Sequence, residues 1–97
     1  MLKKFIIERE LPAIGKADAK ALCDASKTSN AALAALAPRI QWQHSYVAAD
    51  KTFCVYLAED EDAIRQHAAK SGFPASKITE VKCMIDPTTA LGTSTNG

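Results

Sequence analysis

Between Lys3 and Glu10 the side chains alternate, with Phe5 and Ile7 facing one way and Lys4, Ile6 and Glu8 the other. A period of two predicts a strand, and Pro12, which has no amide donor, closes it. Pro12 to Lys16, with Gly15 inside, reads as the loop out. From about Asp18 to Leu36 the period becomes helical, and Leu22, Ala25, Ser29, Ala32, Leu33 and Leu36 fall on one stripe. Asp18 is placed to cap that helix, and Pro38 stops it. Its Ala-rich second half favours helix and permits close approach to a sheet.

Alternation returns from Gln41 to Tyr56, on both sides of a polar break at Ala48-Ala49-Asp50-Lys51, which is the pattern of a hairpin. Ile40, Trp42, His44 and Tyr46 are expected on one side of the first strand, with Gln41, Gln43 and Ser45 on the other. On the second strand Phe53, Val55 and Leu57 oppose Cys54 and Tyr56. A turn of two or four residues puts His44 on the face of Phe53 and Val55; an odd turn, or a bulge, puts it with Cys54 and Tyr56. One residue of register decides whether His44 and Cys54 can meet, and both outcomes stay open at this point.

The acidic run Glu59-Asp60-Glu61-Asp62 suits the first turn of a second helix, where carboxylates complement the helix dipole. Ile64, His67 and Ala68 share its stripe, Gly72 is a left-handed C-cap with Phe73 folding back behind it, and Pro74 blocks continuation. Ile78 to Asp86 reads as a last strand, with Val81, Cys83 and Ile85 on one face and Glu80, Lys82 and Met84 on the other. Residues 88–97 are small and polar and are expected to form a flexible tail.

The order strand, helix, strand, strand, helix, strand predicts an α+β, ferredoxin-like fold for residues 1–87. Right-handed crossovers then give a four-stranded antiparallel sheet with both helices on one face. The other face, carrying Ile6, Met84 and part of the hairpin, is too apolar to leave wet. A homodimer is the simplest cover for it.

Composition narrows the partners. A net charge of +1 over 97 residues, with dispersed Lys and Arg, gives no footprint for nucleic acid. No stretch approaches the ~20 apolar residues of a membrane span. The apolar run after Lys3 and Lys4 stops at Glu8, short of the roughly 7–15 residues of an export signal, so a cytoplasmic protein is expected. Cys23, Cys54 and Cys83 lack disulfide or zinc-ribbon spacing and are each expected to be small buried hydrophobes.

His44 and His67 are the only imidazoles. Residue types alone read both as part-buried, hydrogen-bonded packing residues. The functional reading is a metal site from His44, His67, Cys54 and Glu8, drawn from different elements or across a dimer. Imidazole and thiolate select late first-row ions such as Ni²⁺, Cu²⁺ or Zn²⁺. Catalytic motifs are missing: there is no nucleophile elbow and no Walker loop. Asp50, Asp60, Asp62 and Asp86 are also too scattered for a two-metal centre. Non-catalytic binding is therefore the expectation.

Several pieces, in order along the chain, resemble a small bacterial family of nickel-binding, nickel-responsive proteins first classed as a domain of unknown function. They are Phe5-Ile6-Ile7-Glu8-Arg9-Glu10, Ile40-Gln41-Trp42 with His44-Ser45-Tyr46-Val47, Cys54-Val55-Tyr56, His67-Ala68, Gly72-Phe73-Pro74 and Ile85-Asp86-Pro87-Thr88-Thr89. The resemblance implies a cytoplasmic ferredoxin-like homodimer that binds Ni²⁺, in metal sequestration or a stress response. It raises His44, Cys54 and His67 as ligands and also singles out Glu8, Arg9, Glu10 and Tyr46. Gln43 departs from the pattern, which more often has an apolar residue there, and Gln66 stands where an acidic residue is usual. The alternative is a small-ligand-binding or catalytic dimer of the dimeric α/β-barrel type, oxygenase-like, with a cavity around Trp42 and Tyr46.

Overall fold

The computed structural model describes residues 1–92. Strand β1 (Lys3–Glu10) leads through a 3-10 turn at Ile14–Lys16 into helix α1 (Ala19–Leu36). The hairpin β2 (Ile40–Val47) and β3 (Lys51–Ala58) follows, then α2 (Glu61–Ser71), β4 (Lys77–Glu80) and a second 3-10 turn at Pro87–Leu91. The sheet runs β2-β3-β1-β4 with every pairing antiparallel, which is the ferredoxin-like order. The last part of the expected tail, residues 93–97, lies outside the described residues.

Capping fixes both helix starts. Asp18 accepts from the Ala21 amide at 2.8 Å, and Asp60 accepts from the Ala63 amide at 2.9 Å. The acidic run is a helix start held by Arg39, which pairs with Glu59, Asp60 and Asp62 at 3.2, 3.4 and 3.5 Å. Gly72 ends α2 with φ of 80°, its amide donating to the Ala68 carbonyl. The α1 stripe is as expected, with Ser29, Ala32 and Leu36 buried. α2 buries Ala63, Ile64, His67 and Ser71. Both helices cover the face of β1 that carries Phe5, Ile7 and Arg9.

Three expectations are corrected. The first is that Ile40, Trp42, His44 and Tyr46 share a side. β2 bulges at Gln43: Trp42 pairs with Tyr56, whereas His44 pairs with Val55. One extra residue reverses the alternation, so Ile40 and Trp42 face the helices and His44 and Tyr46 face away. A bond from Trp42 Nε1 to Ser45 Oγ at 2.9 Å spans the bulge.

The second concerns the last strand, which stops at Glu80 rather than Asp86. Its partner runs out: Glu80 pairs with Phe5, β1 begins only two residues earlier, and one further bond, Val81 N–H to the Lys4 carbonyl, ends the ladder. Met84 therefore lies beyond the sheet. The third is cysteine burial. Only Cys54 is buried; Cys23 sits on the outer flank of α1, and Cys83 falls past the shortened strand.

Gly15 is required by a close approach. Its amide donates to the Ala49 carbonyl at 2.9 Å, and a Cβ there would stand 2.7 Å from the Ala48 oxygen and 2.8 Å from the Ala49 Cα. Backbone atoms cannot step aside as a side-chain tip can. Gly15→Ala is expected to lower stability by about 1–3 kcal/mol, measured by urea unfolding.

Candidate functional site

The uncovered face of the sheet is built from the alternate residues of its strands. On β1 these are Ile6 and Glu8, on β3 Phe53 and Val55, and on β2, beyond the bulge, His44 and Tyr46. His44 and Tyr46 are exposed, their rings edge to face with centroids 5.2 Å apart. Ile6 remains 37% exposed and Tyr46 63%. Glu8 is half-buried and meets Lys51 Nζ at 3.5 Å, while Glu10 meets the same amine at 3.3 Å. The face thus has an apolar centre with one imidazole and a paired carboxylate upon it.

The covered side holds a second cluster. His67 is fully buried, and its Nδ1 lies 3.5 Å from Arg9 Nη2. A guanidinium only donates, so Nδ1 accepts and the imidazole proton sits on Nε2. Nε2 faces the Ser29 hydroxyl at 3.2 Å and the Ser29 carbonyl at 3.4 Å. Burial, and then the neighbouring Arg9 charge, push the His67 pKa below its ordinary 6.5, against a smaller opposing pull from the Ser29 carbonyl.

Arg9 is itself only 3% exposed. Its Nη1 donates to the Pro74 and Phe73 carbonyls at 2.9 and 3.3 Å, and Nη2 reaches the Tyr56 hydroxyl at 3.4 Å. Burial raises the Tyr56 pKa, which the Arg9 charge partly offsets. Cys54 is buried nearby on the same side of the sheet, its Sγ 3.4 Å from the Thr52 hydroxyl.

The four nominated ligands are therefore divided by the sheet. His44 and Glu8 lie on the open face; Cys54 and His67 lie beneath the helices. The four-residue link between Val47 and Thr52 sets His44 with Phe53 and Val55, the register that keeps it from Cys54. Both His67 nitrogens are engaged, one of them by a cation. Among the described residues no three His, Cys, Asp or Glu side chains are grouped to hold an ion. Nor do Trp42 and Tyr46 share a cavity: Trp42 points under α1 and Tyr46 points out.

Arg9 is the residue whose place sequence reasoning missed. The alternation of Phe5, Ile7 and Arg9 carried the signal, since it continues the inward face by one more step.

No described helix is long and apolar enough to cross a membrane. The crystal structure of SCO4226 from Streptomyces coelicolor A3(2) superposes with a TM-score of 0.71 at 14% identity, covering 84% of this chain and 99% of that one. That likeness shows a shared fold. No curated protein matches the chain. The family model described as nickel responsive protein SCO4226-like matches residues 5–81. The chain belongs to the nickel-responsive SCO4226-like family.

Proposed function

We propose that the protein is a non-enzymatic, cytoplasmic homodimer that binds a late first-row divalent ion, Ni²⁺ first, for sequestration or a stress response. The observation that carries this reading is His44, an exposed imidazole on a sheet face that no helix covers. Family membership supplies nickel as the first ion to test. A lone imidazole binds such an ion weakly, so further donors are needed. Glu8 lies on the same face, and a second copy packed against it would bring another His44 and Glu8. Ni²⁺ would then displace Lys51 from Glu8. Cys54 and His67, behind the sheet, take no part in this site.

Sedimentation velocity with and without Ni²⁺ tests the coupling of metal to assembly. Ile6→Glu places a charge in the apolar centre of the open face, outside the buried core. It is expected to leave the fold intact, shift the protein to monomer and weaken Ni²⁺ binding by about tenfold or more. An Ile6→Glu monomer that binds Ni²⁺ as tightly as the parent would overturn the intersubunit site.

A further inference from the structure

A cavity of about 280 Å³ lies between the first half of α1 and the covered face of the sheet. Its walls are largely apolar, from Leu22 and Ala25 of α1, Trp42 and Tyr56 of the sheet, and Leu11 and Ile14 of the loop. Arg9 lines it, and no Asp or Glu does. Among the described residues Arg9 forms no salt bridge; its partners are two carbonyls, a phenol and a neutral imidazole. Those carbonyls follow the C-terminus of α2 and carry only partial negative charge. A full positive charge out of water is costly without an opposite charge beside it.

An apolar chamber with an unmatched guanidinium in its wall has the chemistry of a site for an apolar anion. From this we infer that the cavity binds a small monocarboxylate, with its hydrocarbon part under α1 and its carboxylate on Arg9. A carboxylate supplies the charge that the described residues do not, and it would take over the Nη2 donors, which Tyr56 and His67 hold only at 3.4 and 3.5 Å. The cavity is slightly below the ~300 Å³ lower end of small-molecule pockets. At interior packing density it takes on the order of ten non-hydrogen atoms, the size of a medium-chain or single-ring acid. This site is separate from the metal reading, since it lies on the other side of the sheet from His44 and Glu8.

Trp42 is the only tryptophan in the chain and lines the cavity, so its fluorescence reports occupancy. Octanoate and the neutral octanol of equal chain length are titrated into the full-length, metal-free protein. Octanoate is expected to change Trp42 emission saturably and to raise the melting temperature. Octanol should bind at least about tenfold more weakly, a difference of ~1.4 kcal/mol. Arg9→Met should remove that preference. Should Arg9→Met fail to fold, Ala25→Leu serves instead: it fills the chamber, leaves Arg9 in place and should abolish the octanoate response. Equal binding of octanoate and octanol, no response to octanoate, or an undiminished response in Ala25→Leu would each overturn the inference. Loss of Ni²⁺ binding elsewhere would not affect it.

Discussion

Ile7→Ala is expected to cost about 2–5 kcal/mol of folding stability, whereas Ile6→Ala, one residue earlier, should cost no more than about 1 kcal/mol. Ile7 is fully buried, on the helix-covered face of the strand that pairs with both β3 and β4. Cys54 and Ile78 are its cross-strand neighbours. Truncation there leaves a void that secondary structure on all sides holds open. Ile6 is 37% exposed on the opposite face. A loss of 2–5 kcal/mol is a large share of the roughly 5–15 kcal/mol that holds a small domain together. At roughly 4–8 °C per kcal/mol for a domain of this size, calorimetry should separate the two variants plainly. Measured on dilute monomer, similar melting temperatures for both would contradict the assignment of faces.

The second large effect is acid sensitivity through His67. Its folded-state pKa lies below 6.5, first because burial disfavours the charged ring and next because the Arg9 guanidinium faces it. Ser29 and Tyr56 are its other polar neighbours, and neither carries a negative charge near neutral pH. The unfolded chain takes up a proton near 6.5 and the folded chain does not. The unfolded state thus binds more protons, and stability must fall as pH falls. The contribution is complete above about pH 6.5 and declines below it by up to ~1.4 kcal/mol per pH unit, until the folded imidazole itself protonates. Glu80 and Asp86, held below their ordinary range by Lys82 and Thr88, act only in the more acidic carboxylate window. Urea unfolding from pH 8 to pH 5 should show the decline. His67→Gln should flatten it, whatever that substitution does to stability at pH 8.

The fold was legible because its signals are local. Alternation in β1, the stripe ending at Leu36, the Asp18 and Asp60 caps and the Gly72 C-cap each depend on a few neighbouring residues. What was not legible depends on contacts between distant segments. The bulge at Gln43 is set by how β2 pairs with β3, and no residue in Trp42-Gln43-His44 announces it. The end of β4 is set by the start of β1, about seventy-five residues away in sequence. The candidate metal site was legible as residue types only. Both histidines looked like part of one set until the sheet separated them, and the cavity under α1 draws its wall from three strands, a helix and two connections.

On the proposed reading the open face, through His44, holds the metal. Calorimetric titration of Ni²⁺ into tag-free protein tests it most directly, with the parent, His44→Ala and His67→Gln compared at pH 8. Saturable binding is expected for the parent, with affinity reduced by about tenfold or more in His44→Ala and within about twofold of the parent in His67→Gln. Unchanged affinity in His44→Ala, or loss of binding in a folded His67→Gln protein, would contradict it.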